Sequence, residues 1–378
     1  MLKCIEVTNF KSFKKNTRLD LEKTNYQMLS STNVKDGILK GTMLVGANAS
    51  GKSNLLHAVK FLLDCLFGKN DVSMRNYVCL FSVDPITMLK YTFVIEETEI
   101  EYRITFQRID KKINGDLWEE GEHIFSRDGS VARVSISEET YHTDVPNDTL
   151  FLRDIYFNTK FRGRERLQKW FSFLSNSIYL DLYEKSVIPY REVDLSLRAY
   201  LEEGGEQRIN SFFEEYNFEQ AIEYDKTAKG HIIMVESPDK LIFFKRRGID
   251  EPIPYALESL GNRTLLHLLP AFFYCIEHGG MLLLDEFSSG FHNELEELLV
   301  RYFMKKAEDA QLIFVSHSTN LLSTSILRPD QIYSVDFGTE GSVIKRFSSE
   351  RPREAQNLEK MYLGGVFNGV PKYEHTIK

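Results

Sequence analysis

Gly46-Ala47-Asn48-Ala49-Ser50-Gly51-Lys52-Ser53 is the stretch from which the rest of this chain can be read. It fits G-x-x-x-x-G-K-[ST], the spacing of a phosphate-cradling P-loop. The flanks have the composition the motif needs: Thr42-Met43-Leu44-Val45 reads as a short buried strand and Asn54 to Leu63 as a helix. Gly46 and Gly51 permit a tight backbone path on which successive N–H groups converge, and the following helix adds the positive end of its dipole. In this reading Gly46, Asn48, Ser50, Gly51, Lys52 and Ser53 surround the phosphates of ATP. Lys52 reaches the β- and γ-phosphates, and the Ser53 hydroxyl ligates Mg²⁺.

Three later stretches are the companions such a loop requires. Met281-Leu282-Leu283-Leu284 is an apolar run, as in a parallel strand buried on both faces, and it ends in Asp285-Glu286. Ligands of parallel sheets sit at the carboxyl ends of the strands. Asp285 is therefore expected to hold Mg²⁺, and Glu286 to orient or deprotonate the attacking water. Leu312-Ile313-Phe314-Val315 ends in Ser316-His317, which places an imidazole level with the γ-phosphate, where it senses that group's loss. Ser259-Leu260-Gly261 precedes a helical run from Thr264 to Cys275, so a hydroxyl, backbone N–H groups and a helix dipole form a second anion site. Pro270 is expected to kink that helix. Gln107 is the one candidate for a Mg²⁺-sensing glutamine.

Composition narrows the class. The chain has 378 residues, 42% hydrophobic and 27% charged, which is the make-up of a globular protein. No apolar run approaches the roughly 18–20 residues needed to span a bilayer, and Met1 to Val7 alternates like a strand rather than a leader, so no membrane partner and a cytoplasmic location are expected. Four scattered cysteines read as reduced, and nine histidines form no zinc-type spacing. The net charge of −8 gives nucleic-acid binding no support from the chain as a whole and leaves it to a local basic patch.

Between the motifs, residues 88–95 and 100–106 alternate as strands around a Glu-rich turn, Lys111–Asp116 carries turn signals, and His123–Gly129 runs into an Asp-Gly turn. These predict an antiparallel sheet beside the nucleotide core. Residues 149–220 mix aromatic and basic side chains, with helices expected over Arg164–Ser175 and Ser196–Tyr216 and no sustained heptads. The Arg162/Arg164/Arg166 cluster reads either as a patch for nucleic acid or protein, or as a solvated helix end over an aromatic core; the second is preferred. Lys11 to Lys15 reads as a solvated turn, with a basic loop near nucleotide or nucleic acid as the sharper alternative. Residues 231–235 and 240–245 read as strands joined by a Ser237-Pro238-Asp239 turn.

The order P-loop, Ser-x-Gly helix, apolar-Asp-Glu, apolar-Ser-His resembles the ABC-type ATPases of the SMC, Rad-fifty and RecF group. Ser259 and Gly261 match that group's signature, while Leu260 and Asn262-Arg263 depart from it. The resemblance implies an ATP-sandwiched, head-to-head homodimer in which the signature of one copy covers the ATP on the P-loop of the other. More narrowly, Thr8–Phe13, Leu327–Tyr333 and Tyr362–Pro371 resemble the compact AAA-fifteen and AAA-twenty-one ATPases of bacterial anti-phage and abortive-infection systems, the RloA, AbiL and OLD-like kind. OLD-like proteins carry a Toprim nuclease after the ATPase; the sequence after Pro371 leaves no room for one, so a nuclease or toxin effector is expected as a separate chain.

The expectation is therefore an α/β P-loop ATPase of ABC type with a mixed, largely parallel core sheet, an antiparallel β subdomain and a helical insertion. Residues 1–148 form the first lobe, 149–220 the helical insertion for partner binding, and 221–378 the second lobe. The function expected is a nucleotide switch in anti-phage defence. The alternative is a RecF- or SMC-like DNA-binding ATPase.

Overall fold

The computed structural model describes residues 1–68, 72–107, 112–136, 139–146, 149–288 and 290–371. Lys111, in an expected turn, and Ser289, beside the Asp-Glu pair, lie outside the described residues. The central element is a seven-stranded sheet in the order Ser186–Pro189, Ile178–Asp181, Gly280–Asp285, Ala310–Val315, Gly41–Val45, Ile332–Gly338, Gly341–Arg346. The five inner strands pair in parallel and the two outer ones antiparallel. Every residue of Gly41–Val45, Gly280–Asp285 and Ala310–Val315 is buried, as the unbroken apolar runs require of strands covered on both faces.

Successive residues of those strands feed opposite cores. Leu44, Met281, Leu283 and Ile313 join one core with the P-loop helix, Lys52–Phe67. Met43, Leu282, Leu284 and Phe314 join the other with the helix Leu260–His278. An eight-stranded antiparallel sheet packs into the first core; it starts at the chain's own Leu2–Thr8, which lies between Thr17–Asp20 and Ile86–Ile95. A three-stranded sheet from Gln220 to Pro254 stands before the Ser-x-Gly helix. Among the described residues no helix is long and apolar enough to cross a membrane.

This is the expected α/β architecture, with local differences. Asn114-Gly115-Asp116 lies inside the strand Ile113–Glu119 rather than in a turn. The Asn114 side chain accepts from Gly129 N–H across the sheet. Ser237-Pro238-Asp239 is likewise no hairpin turn. Met234–Arg246 is one strand with an irregular stretch opposite Asp225–Thr227. The chain reverses at 230–233, where the Glu251 carboxylate accepts from Ile232 and Ile233 N–H. The expected helix over 196–216 is two, Leu197–Glu202 and Gly205–Glu215, broken at Gly204, whose φ is +88°. The segment 149–220 contributes more than helices: it supplies Ile178–Asp181, the parallel neighbour of the Asp-Glu strand.

Candidate functional site

The carboxyl ends of Gly41–Val45, Gly280–Asp285 and Ala310–Val315 meet at one edge of the sheet, because the three strands are parallel and adjacent in register. The loop Gly46–Gly51 leaves the first of them with Gly46, Ala49 and Gly51 at positive φ. Gly51 has no alternative: a Cβ there would lie 2.3 Å from the Ser342 hydroxyl and 2.6 Å from that of Ser12. Ser12, from the Lys11–Lys15 turn, accepts from the Asn54 side-chain amide at 2.8 Å, and Ser342 donates to the Ser50 carbonyl at 2.6 Å. The first strand's loop and the sheet's edge strand thus brace the P-loop from beneath.

Lys52 is buried and folded back onto the loop, donating to the carbonyls of Gly46 at 3.0 Å and Ala47 at 2.8 Å. Burial pulls its ammonium below the usual lysine value, against the opposing pull of Glu286 and Asp285. The Ser50 hydroxyl is buried with no partner. Ser53 Oγ donates to Asp285 Oδ1 at 2.9 Å. Burial raises the Asp285 carboxyl above its ordinary value, and the negative charges of Asp181 and Glu286 add to the rise. A buried carboxylate near other carboxylates, touching a hydroxyl, presents oxygen donors of the hard kind that Mg²⁺ takes. Ser53 and Asp285 thus fit Mg²⁺ on chemistry.

Glu286 follows directly and sits at φ +53°, a left-handed conformation that costs a non-glycine residue of order 1 kcal/mol or more. The turn aims its carboxylate at His317, whose Nε2 lies 3.8 Å from Glu286 Oε2. Burial and the nearby Lys52 lower the His317 pKa, so the imidazole is neutral at pH 7. Gly46, Asn48, Glu286 and His317 open onto one cleft of about 620 Å³.

Two contributors were not read from the sequence. Tyr179, on Ile178–Asp181, donates to Asp285 Oδ2 at 3.4 Å and stands 3.5 Å from His57 Nε2 of the P-loop helix. The signal was a short apolar run ending in an acid, Ile178-Tyr179-Leu180-Asp181, hidden in an aromatic-rich segment. Asp181 is the register partner of Asp285. Gln107, by contrast, lies on the antiparallel sheet opposite Ile86 and does not line the cleft. The second contributor is the C-terminal stretch: Tyr362, Leu363, Val370 and Pro371 wall the cleft, and the Gly369 carbonyl accepts from Ala47 N–H at 2.9 Å.

Ser259 and Gly261 are not among the cleft's lining residues, and neither are Ser50, Gly51, Lys52, Ser53 and Asp285. Ser259 caps its helix by accepting from Asn262 N–H. Gly261 is held against the loop after the Asp-Glu pair, so a Cβ would stand 2.6 Å from the Gly290 carbonyl. Leu257 and Leu260, either side of Ser259, are 73% and 51% exposed. Of the two expected basic features, the first is partly paired: Arg164 with Glu119 and Glu122, and Arg166 with Glu120, while Arg162 is exposed ahead of the helix. Lys14 and Lys15 share Glu340.

A protein-family model described as "AAA domain, putative AbiEii toxin, Type IV TA system" matches residues 42–323, which include the P-loop, the Asp-Glu strand and the His strand. Among solved structures, the chain is similar to an SMC head bound to the C-terminal winged-helix domain of ScpA (14% identity, TM-score 0.52, covering 91% of this chain and 97% of that one). It also matches the SMC head domain of Thermotoga maritima (17%, 0.49, 91% and 97%). A third match is an Smc head with an extended coiled coil from Pyrococcus furiosus (12%, 0.48, 91% and 95%). The first of these supports an SMC-head-like fold. No curated protein matches the chain.

Proposed function

Since the chain belongs to that AAA-domain family and has an SMC-head-like ATPase fold, we propose that it is an ATP-hydrolysing switch that closes as a homodimer around ATP. In this reading it serves bacterial anti-phage or abortive-infection defence through a separate effector chain, a nuclease or toxin. The observation that carries the ATPase reading is the convergence of Lys52, the Ser53–Asp285 pair, Glu286 and His317 on one edge of the sheet. Lys52 exchanges its two loop carbonyls for the β- and γ-phosphates. Ser53 and Asp285 would hold Mg²⁺, which when bound would offset the negative charge of the phosphates. Glu286 accepts a proton from the attacking water or orients it, and neutral His317 donates a hydrogen bond towards the γ-phosphoryl oxygens.

The dimer reading rests on the signature's position. Ser259 caps its helix and is flanked by exposed Leu257 and Leu260, apolar surface that a second copy would cover. ATP then favours the closed pair because its phosphates are contacted from both copies, and hydrolysis removes that preference. Glu286→Gln tests this: it should abolish steady-state phosphate release and leave an ATP-dependent dimer in sedimentation. Turnover near the wild-type rate would refute the assignment. A RecF- or SMC-like DNA-binding ATPase would use the same site; ATP-dependent DNA affinity that falls steeply with salt distinguishes it.

A further inference from the structure

A second concavity lies elsewhere, a groove of about 1620 Å³ between the far half of the P-loop helix, residues 72–77, the helices of 151–175 and the edge strand Ser186–Pro189. Its walls differ. One carries Lys11, Arg153 and Lys160, with Arg191 at the end of the opposite wall. Among the described residues none of these four has a carboxylate within 4 Å, in a chain of net charge −8. Three of them lie over aromatic rings: Lys11 over Tyr77, Arg153 over Phe157, and Lys160 over both Tyr156 and Phe157, while Arg153 also donates to the Gly68 carbonyl and Arg191 to Asn176 Oδ1. Phe157 remains 49% exposed. The other wall is apolar, Val187, Ile188 and Val193, and carries the acids Glu192 and Asp194.

We infer that this groove seats an acidic amphipathic segment of a partner protein. The unpaired ammonium and guanidinium groups would take the segment's carboxylates, and Phe157 with the Val187–Ile188 wall would take its apolar face. A nucleic-acid backbone fits worse, because it has no apolar face to set against the Val187–Ile188 wall. The groove also touches the ATP machinery: Lys60, which lines it, lies over the ring of Tyr179, whose hydroxyl meets Asp285. Identifying the occupant with the effector chain rests on the switch proposed above; the presence of the seat does not.

The test is fluorescence anisotropy of the whole protein without nucleotide, using a labelled helical peptide with leucines on one face and glutamates on the other. Wild type should bind it. Lys160→Glu and Phe157→Ala should each weaken binding at least tenfold, and the Leu/Lys counterpart peptide should prefer Lys160→Glu to wild type. An oligothymidylate of about 20 nucleotides should not displace the peptide. No binding below about 1 mM, equal binding by wild type and both variants, or displacement by the oligonucleotide would each overturn the inference. Glu286→Gln dimerisation is measured separately, so loss of the seat and loss of the switch give different results.

Discussion

Tyr179→Phe separates the carboxylate proposed to hold the cation from the structure that holds the carboxylate. The substitution removes one hydroxyl and keeps the ring, which packs in the core with Leu283 and Met281. The lost contact is the 3.4 Å bond to Asp285 Oδ2; a bond to a charged group contributes about 1.5–3 kcal/mol at ordinary length and less at a length this far beyond the usual O–H···O. At about 1 kcal/mol the loss is about fivefold in a rate or binding constant. Ser53 still donates to Oδ1, so Asp285 stays tethered at one oxygen only. Phosphate release measured across a Mg²⁺ titration should therefore show a several-fold higher half-saturating Mg²⁺, little change in KM for ATP, and a Tm close to wild type. Unchanged Mg²⁺ dependence would refute the reasoning. So would a hundredfold loss at saturating Mg²⁺, which would give Tyr179 a direct part in the chemistry.

Other perturbations test other links. Arg328 and Asp330 are fully buried and joined by two 2.8 Å bonds, with Thr24, Met28 and Ser30 completing the network; Asp330→Ala should cost about 3–5 kcal/mol of stability in chemical denaturation, as loss of one partner strands the other charge. Gly261→Val should abolish ATP-dependent dimerisation, because its side chain would meet the Gly290 carbonyl, while leaving monomer ATP binding intact in a fluorescent-nucleotide assay. His57 is held neutral by burial, with its pKa lowered to about 4. A depressed histidine contributes stability that is lost as pH falls from about 6.5 towards 4, up to about 3 kcal/mol, so wild-type Tm should drop over that window, and the drop should be smaller in His57→Asn.

What the sequence made legible was local. A P-loop, an apolar run ending in Asp-Glu and another ending in Ser-His each carry their meaning in a few consecutive residues, and parallel pairing brings their ends together without further information. What it hid depends on distant partners. Ile178–Asp181 is only four residues long and gains its identity from lying beside Gly280–Asp285. Tyr179 could not be told from its aromatic neighbours until that register was known. The Tyr362–Pro371 stretch was noticed as a resemblance, but its wall against the cleft depends on a carbonyl, Gly369, which no side-chain pattern reports. Arg164 and Arg166 looked free because Glu119, Glu120 and Glu122 lie more than forty positions earlier. Ser237-Pro238-Asp239 misled because a proline can also sit in an irregular stretch of a strand, as it does opposite Asp225–Thr227.

The claim on which the account stands is that each ATP is enclosed by two copies, Lys52 from one and Ser259 from the other. The most direct measurement is complementation between Lys52→Ala and Ser259→Arg, each inactive alone. Mixed in equal amounts, they should regain about a quarter of the wild-type ATPase rate, since half of the dimers are then hybrids with one intact composite site of two. A mixture as inactive as its components, under conditions where sedimentation shows hybrids forming, would contradict it.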